Sequence, residues 1–185
     1  MTQVKLPDNP RDEIVLHIPA LRAFALSLCR SPDRADDLVQ DTVERAWGHF
    51  ASFTPGTKLR SWLFTILRNV FYSDLRKHRR EVADPEGAFV ARLAVAPVHD
   101  DALALREFLR AFAALSAEHR EVLSLVGGLG FSYEEAAGIT SLAVGTVKSR
   151  VSRARAILGE NPMPSRDSVT IGVLTQSASF EAERV

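Results

Sequence analysis

Residues Tyr133 to Arg155 read YEEAAGITSLAVGTVKSRVSRAR. The pattern is two short helices separated by a turn, and the second carries Lys148, Arg150, Arg153 and Arg155 with no acidic residue. On a helical wheel, Val144, Val147, Val151, Ala154 and Leu158 fall in one apolar stripe. Gly145, Ser149, Ser152 and Arg153 point the other way, with Thr146, Lys148 and Arg150 on the flanks. A helix that is apolar on one side and small-and-basic on the other, held by a preceding helix, suits a major groove. The small residues allow close approach, and the long cations reach base edges or phosphates. A solvated basic helix packed on a bundle is the plainer alternative. Glu134 and Glu135 read as first-turn acids behind a Ser132 cap, complementing the helix dipole, rather than as a catalytic carboxylate pair.

The rest of the chain narrows what kind of DNA reader this is. Its 185 residues fit one or two small domains. Hydrophobic content of 46% with 25% charged residues is that of an ordinary globular protein. The 23 basic and 23 acidic residues cancel, so global charge predicts no polyanion binding. Distribution says otherwise. Lys58, Arg60, Arg68, Arg76, Lys77, Arg79 and Arg80 face only Asp74 within residues 58–80. Residues 81–104 then bring Glu81, Asp84, Glu86, Asp100 and Asp101 against Arg92. Two basic patches separated by an acidic segment suggest two nucleic-acid contacts joined by something that does not bind DNA.

Cys29 is the single cysteine, which excludes an internal disulfide or a zinc cluster of thiolates and favours a reducing compartment. In the run Phe24–Cys29 it reads as a buried, inert thiol. The start, MTQVKLPDNPRDE, does not read as a secretory signal, and no window approaches the ~20 apolar residues that span a bilayer. A soluble cytoplasmic protein without a membrane contact is expected. The five histidines show no ligand pairing at helical spacing. Gly127-Gly128-Leu129-Gly130 lacks the Lys-Ser/Thr ending of a phosphate loop and reads as a helix-breaking turn. Neither a metal nor another cofactor is expected, nor a catalytic constellation.

Periodicity predicts an all-α chain. Residues 1–12 read as a loose arm with Pro7 and Pro10. Val15, Ile18, Leu21, Ala25 and Leu28 repeat at three and four residues and predict a helix over 13–29. Ser31-Pro32 is a cap followed by a first-turn proline, opening a second helix from about Arg34 to Phe50. There Val39, Val43, Ala46, Trp47 and Phe50 share one face, and Asp37, Gln40, Asp41 and Glu44 the other. After the turn Thr54-Pro55-Gly56, a third helix is expected from Leu59 to about Arg80, with Leu63, Ile66, Leu67, Val70 and Phe71 apolar. Residues 81–104 read as a linker, with a short helical turn near Phe89–Leu93. Helical periodicity resumes at Leu103, and Glu118–Val126 precedes the glycine turn. Domains are therefore expected at 13–80 and 105–159, with a tail at 160–185.

The third helix interleaves Trp62, Phe64, Phe71 and Tyr72 with its cations, an arrangement that can stack single-stranded bases while tracking a backbone. Equally, Trp62 and Phe71 could be core and the arginines a solvated helix end favoured by the dipole. Asn69 is either a surface hydrogen bonder or a base reader. The acidic helix would repel DNA, so its exposed face suits a basic protein partner or plain water.

DDLVQDTVERAW, then LRSWLFTILRNVFYSDLRKHRR, then FSYEEAAGITSLAVGTVKSRVSRAR, in that order, resembles an extracytoplasmic-function sigma factor of the sigma-70 family. GFSYEEAA with AVGTVKSRVSRARA further resembles the EcfG group, which runs the general stress response of alphaproteobacteria. The resemblance implies a sigma-2 bundle and a sigma-4 helix-turn-helix joined by a flexible linker that threads through RNA polymerase. It implies core RNA polymerase as partner, through the β′ clamp helices and the β flap, with the clamp contact at Asp37, Gln40, Asp41 and Glu44. Asn69 would capture a flipped −10 base, with Tyr72, Arg76, Lys77, Arg79 and Arg80 along the single-strand path. Lys148, Ser149, Ser152 and Arg153 match −35 readers, and Thr146, Arg150 and Arg155 would hold phosphates. A GGAAC-like −35 and a GTT-like −10 element follow, as does a small helical anti-sigma partner titrated by a phosphorylated regulator with a sigma-like domain. Outside its complexes the chain is expected to be a monomer. Two departures stand out: Ser141 sits where the turn usually has glycine, and Ala143 where a serine often caps the recognition helix. Alternatives are a sigma-like decoy that binds the anti-sigma factor but not DNA, and a stand-alone helix-turn-helix regulator. The retained basic helices disfavour the first, and the second leaves the acidic helix and Trp62–Arg80 idle.

Overall fold

The computed structural model describes residues 11, 13–53, 58–81 and 101–159. Among them every regular element is helical. The expected arm, the residue 89–93 helical turn and the tail lie outside the described residues. The chain divides into two compact units. The first holds α1 (Glu13–Cys29), α2 (Pro32–Gly48) and α3 (Leu59–Glu81), each packed on the other two. The second builds on α4 (Asp101–Ala114), α5 (Ala117–Leu123) and α7 (Val144–Leu158), with residues 133–137 of α6 (Tyr133–Thr140).

In the first unit the core is Ile14, Leu21, Phe24, Ala25 and Leu28 from α1, Ala35, Leu38, Val39 and Ala46 from α2, and Leu63, Phe64, Leu67, Val70 and Phe71 from α3. Phe24 and Phe64 meet with ring centroids 5.2 Å apart. Two expectations shift. Val15 is exposed and Ile14 takes the buried position, because α1 is apolar around most of its circumference and three-four spacing alone does not say which stripe faces inward. Trp47, placed by periodicity on the inner face of α2, is 55% exposed, while the small Ala46 and the hydroxyl of Thr42 line the inside. Thr42 satisfies its buried Oγ1 by donating to the Leu38 carbonyl at 2.6 Å.

Helix ends follow the chemistry of their sequences. Ser31 Oγ accepts from the Arg34 N–H and Pro32 occupies the first turn of α2. Arg30 between α1 and α2 has φ +57° and its N–H returns to the Leu26 carbonyl at 2.9 Å. Arg22 Nε meets Asp36 Oδ1 at 2.6 Å, pinning α1 to α2 at the surface. Cys29 donates its thiol to the Ala25 carbonyl at 2.9 Å, and burial pushes the thiol pKa up, which keeps it protonated and unreactive.

In the second unit the nearly buried Arg120 donates to the carbonyls of Ala113 and Leu115, closing the end of α4. The glycine turn starts later than the sequence predicts. α5 widens into a π-turn over Ser124–Gly128, with the Leu129 N–H on the Ser124 carbonyl at 2.8 Å. Only Gly130, with φ +72°, turns the chain out of the helix.

The turn of the opening motif closes with a left-handed residue. Ser141 has φ +56°, its N–H reaches the Gly138 carbonyl at 3.4 Å, and the Leu142 N–H reaches the Ala137 carbonyl at 3.1 Å. That pair of bonds is the Schellman arrangement, in which the left-handed position favours glycine. Ser141 is exposed, so no packing is lost on truncation. Ser141→Gly should therefore stabilise the turn between α6 and α7 by about 0.5–1 kcal/mol, the relief of an L-residue from the left-handed region less the added freedom of the unfolded chain. Thermal melts of the two full-length chains measure it, and an unchanged or lower midpoint would contradict it.

Candidate nucleic-acid interface

α7 seats Val147, Val151, Ala154 and Leu158 in the core of the second unit, and each is at most 1% exposed. The opposite side is thereby fixed outward. Lys148, Ser149, Ser152, Arg153 and Arg155 are exposed, and Gly145 among them adds no bulk. Thr146 is half-buried at the start of the helix, and its carbonyl accepts from Ser149 Oγ at 2.9 Å. Ala143, at the cap position of α7, offers no side-chain bond to the first N–H groups. α6, by contrast, begins with a full capping box. Glu135 N–H donates to Ser132 Oγ at 3.1 Å, and Ser132 N–H to Glu135 Oε2 at 2.8 Å. The expected first-turn acids thus divide, with Glu135 closing the cap and Glu134 exposed.

Two contacts in this unit had no sequence signal. Arg150 is half-buried and its Nη2 lies 3.0 Å from Glu118 Oε2 on α5. Lys148 Nζ sits 5.6 Å from the ring centroid of Tyr133, at the start of α6. Partners 32 and 15 residues apart share no helical period, so only the fold brings them together. Arg150 is held against the protein, whereas Lys148, Arg153 and Arg155 stay on the open side.

On α3, Asn69 and Arg76 are exposed and lie seven residues apart, with the half-buried Tyr72 between them on the same face. Tyr72 meets the Phe71 ring edge-on at 5.2 Å, and the Arg68 guanidinium sits 4.7 Å from its centroid. Phe71 is buried, so of the two aromatics Tyr72 is the one that reaches the outer face. Lys77 is exposed on the flank, while Arg79 and Arg80 continue α3 with side chains outside the described set. Trp62 packs on Phe53 at 5.3 Å and edge-on against Phe50 at 6.2 Å, which makes it a structural aromatic.

The acidic helix presents Asp37, Gln40, Asp41 and Glu44, all exposed. They form two groups. Asp37 and Asp41 line a shallow cleft with Cys29, Arg34, Leu38, Phe71 and Asp74, at the junction of α2 and α3. Gln40 and Glu44 bond to each other, Nε2 to Oε1 at 3.0 Å, and continue toward Trp47. Among the described residues no group of three or more His, Cys, Asp or Glu could hold a metal ion, and no helix is long and apolar enough to cross a membrane.

These features coincide with known sequences. A model of sigma-70 region 2 matches residues 14–81, and one of sigma-70 region 4 matches residues 105–158. The chain is 53% identical over 153 residues to the ECF RNA polymerase sigma factor EcfG of Rhodopseudomonas palustris (strain TIE-1), covering 83% of this chain and 84% of that one. It is 32% identical over 149 residues to the ECF RNA polymerase sigma factor SigM of Bacillus subtilis (strain 168), covering 78% and 90%. Among solved structures it matches the sigma factor RpoE in complex with the anti-sigma factor NepR from Bartonella quintana. That match has a TM-score of 0.71 at 52% identity, over 81% of this chain and 94% of that one.

Proposed function

The chain belongs to the extracytoplasmic-function RNA polymerase sigma factors of the sigma-70 family, and from that premise we propose how its faces divide the work of starting transcription. Lys148, Ser149, Ser152 and Arg153 on α7 read a GGAAC-like −35 element, and Thr146 and Arg155 hold adjacent phosphates. Asn69 captures a flipped −10 base from a GTT-like element, and Tyr72, Arg76, Lys77, Arg79 and Arg80 guide the melted strand. Asp37, Gln40, Asp41 and Glu44 dock on the β′ clamp helices of core polymerase, and the second unit on the β flap. Arg150 is the third phosphate contact, and there the phosphate competes with the Glu118 carboxylate that lies 3.0 Å from the guanidinium. A small helical anti-sigma factor of the NepR kind is the regulatory partner, in keeping with the complex formed by the Bartonella relative.

The observation that carries this reading is the outward face of α7. Val147, Val151, Ala154 and Leu158 hold one side of the helix in the core, which leaves Ser149, Ser152 and Arg153 facing solvent or a groove. Run-off transcription with core polymerase on a GGAAC/GTT promoter tests it. Product is expected, and Arg153→Ala should narrow the preference for the cognate −35 element by about 1–3 kcal/mol, the worth of a bidentate base contact. A uniform loss over all −35 sequences would make Arg153 a phosphate contact. No product, with duplex binding by the chain alone, would favour the stand-alone regulator.

A further inference from the structure

Trp47 is the large exposed aromatic of the first unit that no internal contact explains. It is 55% exposed, and among the described residues its indole makes no hydrogen bond or ring contact, whereas Trp62, Phe50 and Phe53 pack on one another. The surface beside it is open: a Cβ on Gly48 would meet nothing within 4 Å. Solvating a tryptophan that could have been any polar residue is costly, and tryptophan is the residue most enriched among the few that carry protein–protein binding energy.

Its place on α2 tells what kind of partner would cover it. Gln40, Glu44 and Trp47 follow at intervals of four and three residues, so they form one ridge, and the first two are already tied together at 3.0 Å. Ala46 and Thr42 hold the opposite side of the helix in the core, which fixes that ridge outward. We propose that Trp47 is the apolar anchor of the polymerase-docking face, inserting into an apolar groove flanked by basic side chains that meet Glu44 and Asp41. This rests on the reading of α2 as the polymerase contact and adds to it an apolar residue that slows dissociation. The carboxylates steer the encounter and the indole holds it, since exposed charges act mainly on association rate and a desolvated ring on dissociation.

Binding of the full chain to core RNA polymerase, followed in time at two salt concentrations, separates the two roles. Trp47→Ala should weaken binding about tenfold to hundredfold, through faster dissociation and with little change in salt dependence. Trp47→Phe should lose less, and Trp47→Lys, which keeps a good helix former on this exposed site, should lose at least as much as alanine. Asp41→Lys with Glu44→Lys should slow association and flatten its salt dependence. If the charge reversal weakens binding while Trp47→Ala stays within twofold of the parent, the anchor is refuted and the docking face stands. If neither weakens binding, the docking face itself is wrong and the anchor falls with it.

Discussion

Asn69→Ala should cut open-complex formation on a duplex promoter by about 10- to 100-fold, which corresponds to roughly 1.4–2.8 kcal/mol of lost base capture. The side chain is exposed on the outer face of α3, and its neighbours Val70, Leu67 and Phe71 carry the packing, so the melting temperature should not move. Extruding a base from the stack costs a few kcal/mol, and the captured base is what offsets that cost in an unmelted duplex. On a template whose −10 region is already unpaired the offset is unnecessary, and most of the loss should disappear. Potassium permanganate reactivity of unpaired −10 thymines reports opening directly on both templates. A loss of equal size on duplex and pre-melted DNA, with an unchanged melting temperature, would remove Asn69 from base capture. An equal loss with a lowered one would make it a folding residue.

The two halves of such a reader differ in how much of them the sequence exposes. α7 was legible because one helix carries both signals at once: an apolar stripe at three-four spacing and small-and-basic residues opposite it. The turn before it was legible in kind: the resemblance marked Ser141 as standing where glycine is usual, and that residue has a left-handed φ of +56°. The helices of the first unit were placed within a residue or two by the Ser31-Pro32 start and the apolar periods. Facing was harder. α1 is apolar nearly all round, so Val15 and Ile14 compete on equal terms until the packing of Phe24 on Phe64 decides for Ile14. Trp47 misled for a related reason. Hydrophobicity says inside, but at that level of α2 the inner positions belong to Ala46 and Thr42, both fully buried. The Glu118–Arg150 and Tyr133–Lys148 contacts could not be read at all, because they join helices whose relative positions no local pattern encodes.

That dependence on a few core side chains makes the first unit fragile in a predictable way. Phe64 is wholly buried, contacts Phe24 at 5.2 Å, and sits where α3 crosses α1. Phe64→Ala should cost about 3–5 kcal/mol, from lost transfer energy and the cavity left behind. A core built from some seventy residues rarely supplies more than about 3–5 kcal/mol in total, so the substitution should unfold this unit at ambient temperature. Hydrogen exchange on the full chain would show α1, α2 and α3 losing protection while α5 and α7 retain theirs, since the second unit has its own core in Val122, Leu125, Val147 and Val151. Phe64→Leu, which nearly conserves volume, should cost less than about 1.5 kcal/mol and keep the unit folded. The functional consequence separates the halves: with Phe64→Ala the chain should lose polymerase binding and promoter opening together, because α2 and α3 present both faces from one core. Protection of α3 surviving the alanine would mean that the Phe24–Phe64 contact is not what holds α3, and that Asn69 is positioned by the α2 side of the bundle instead.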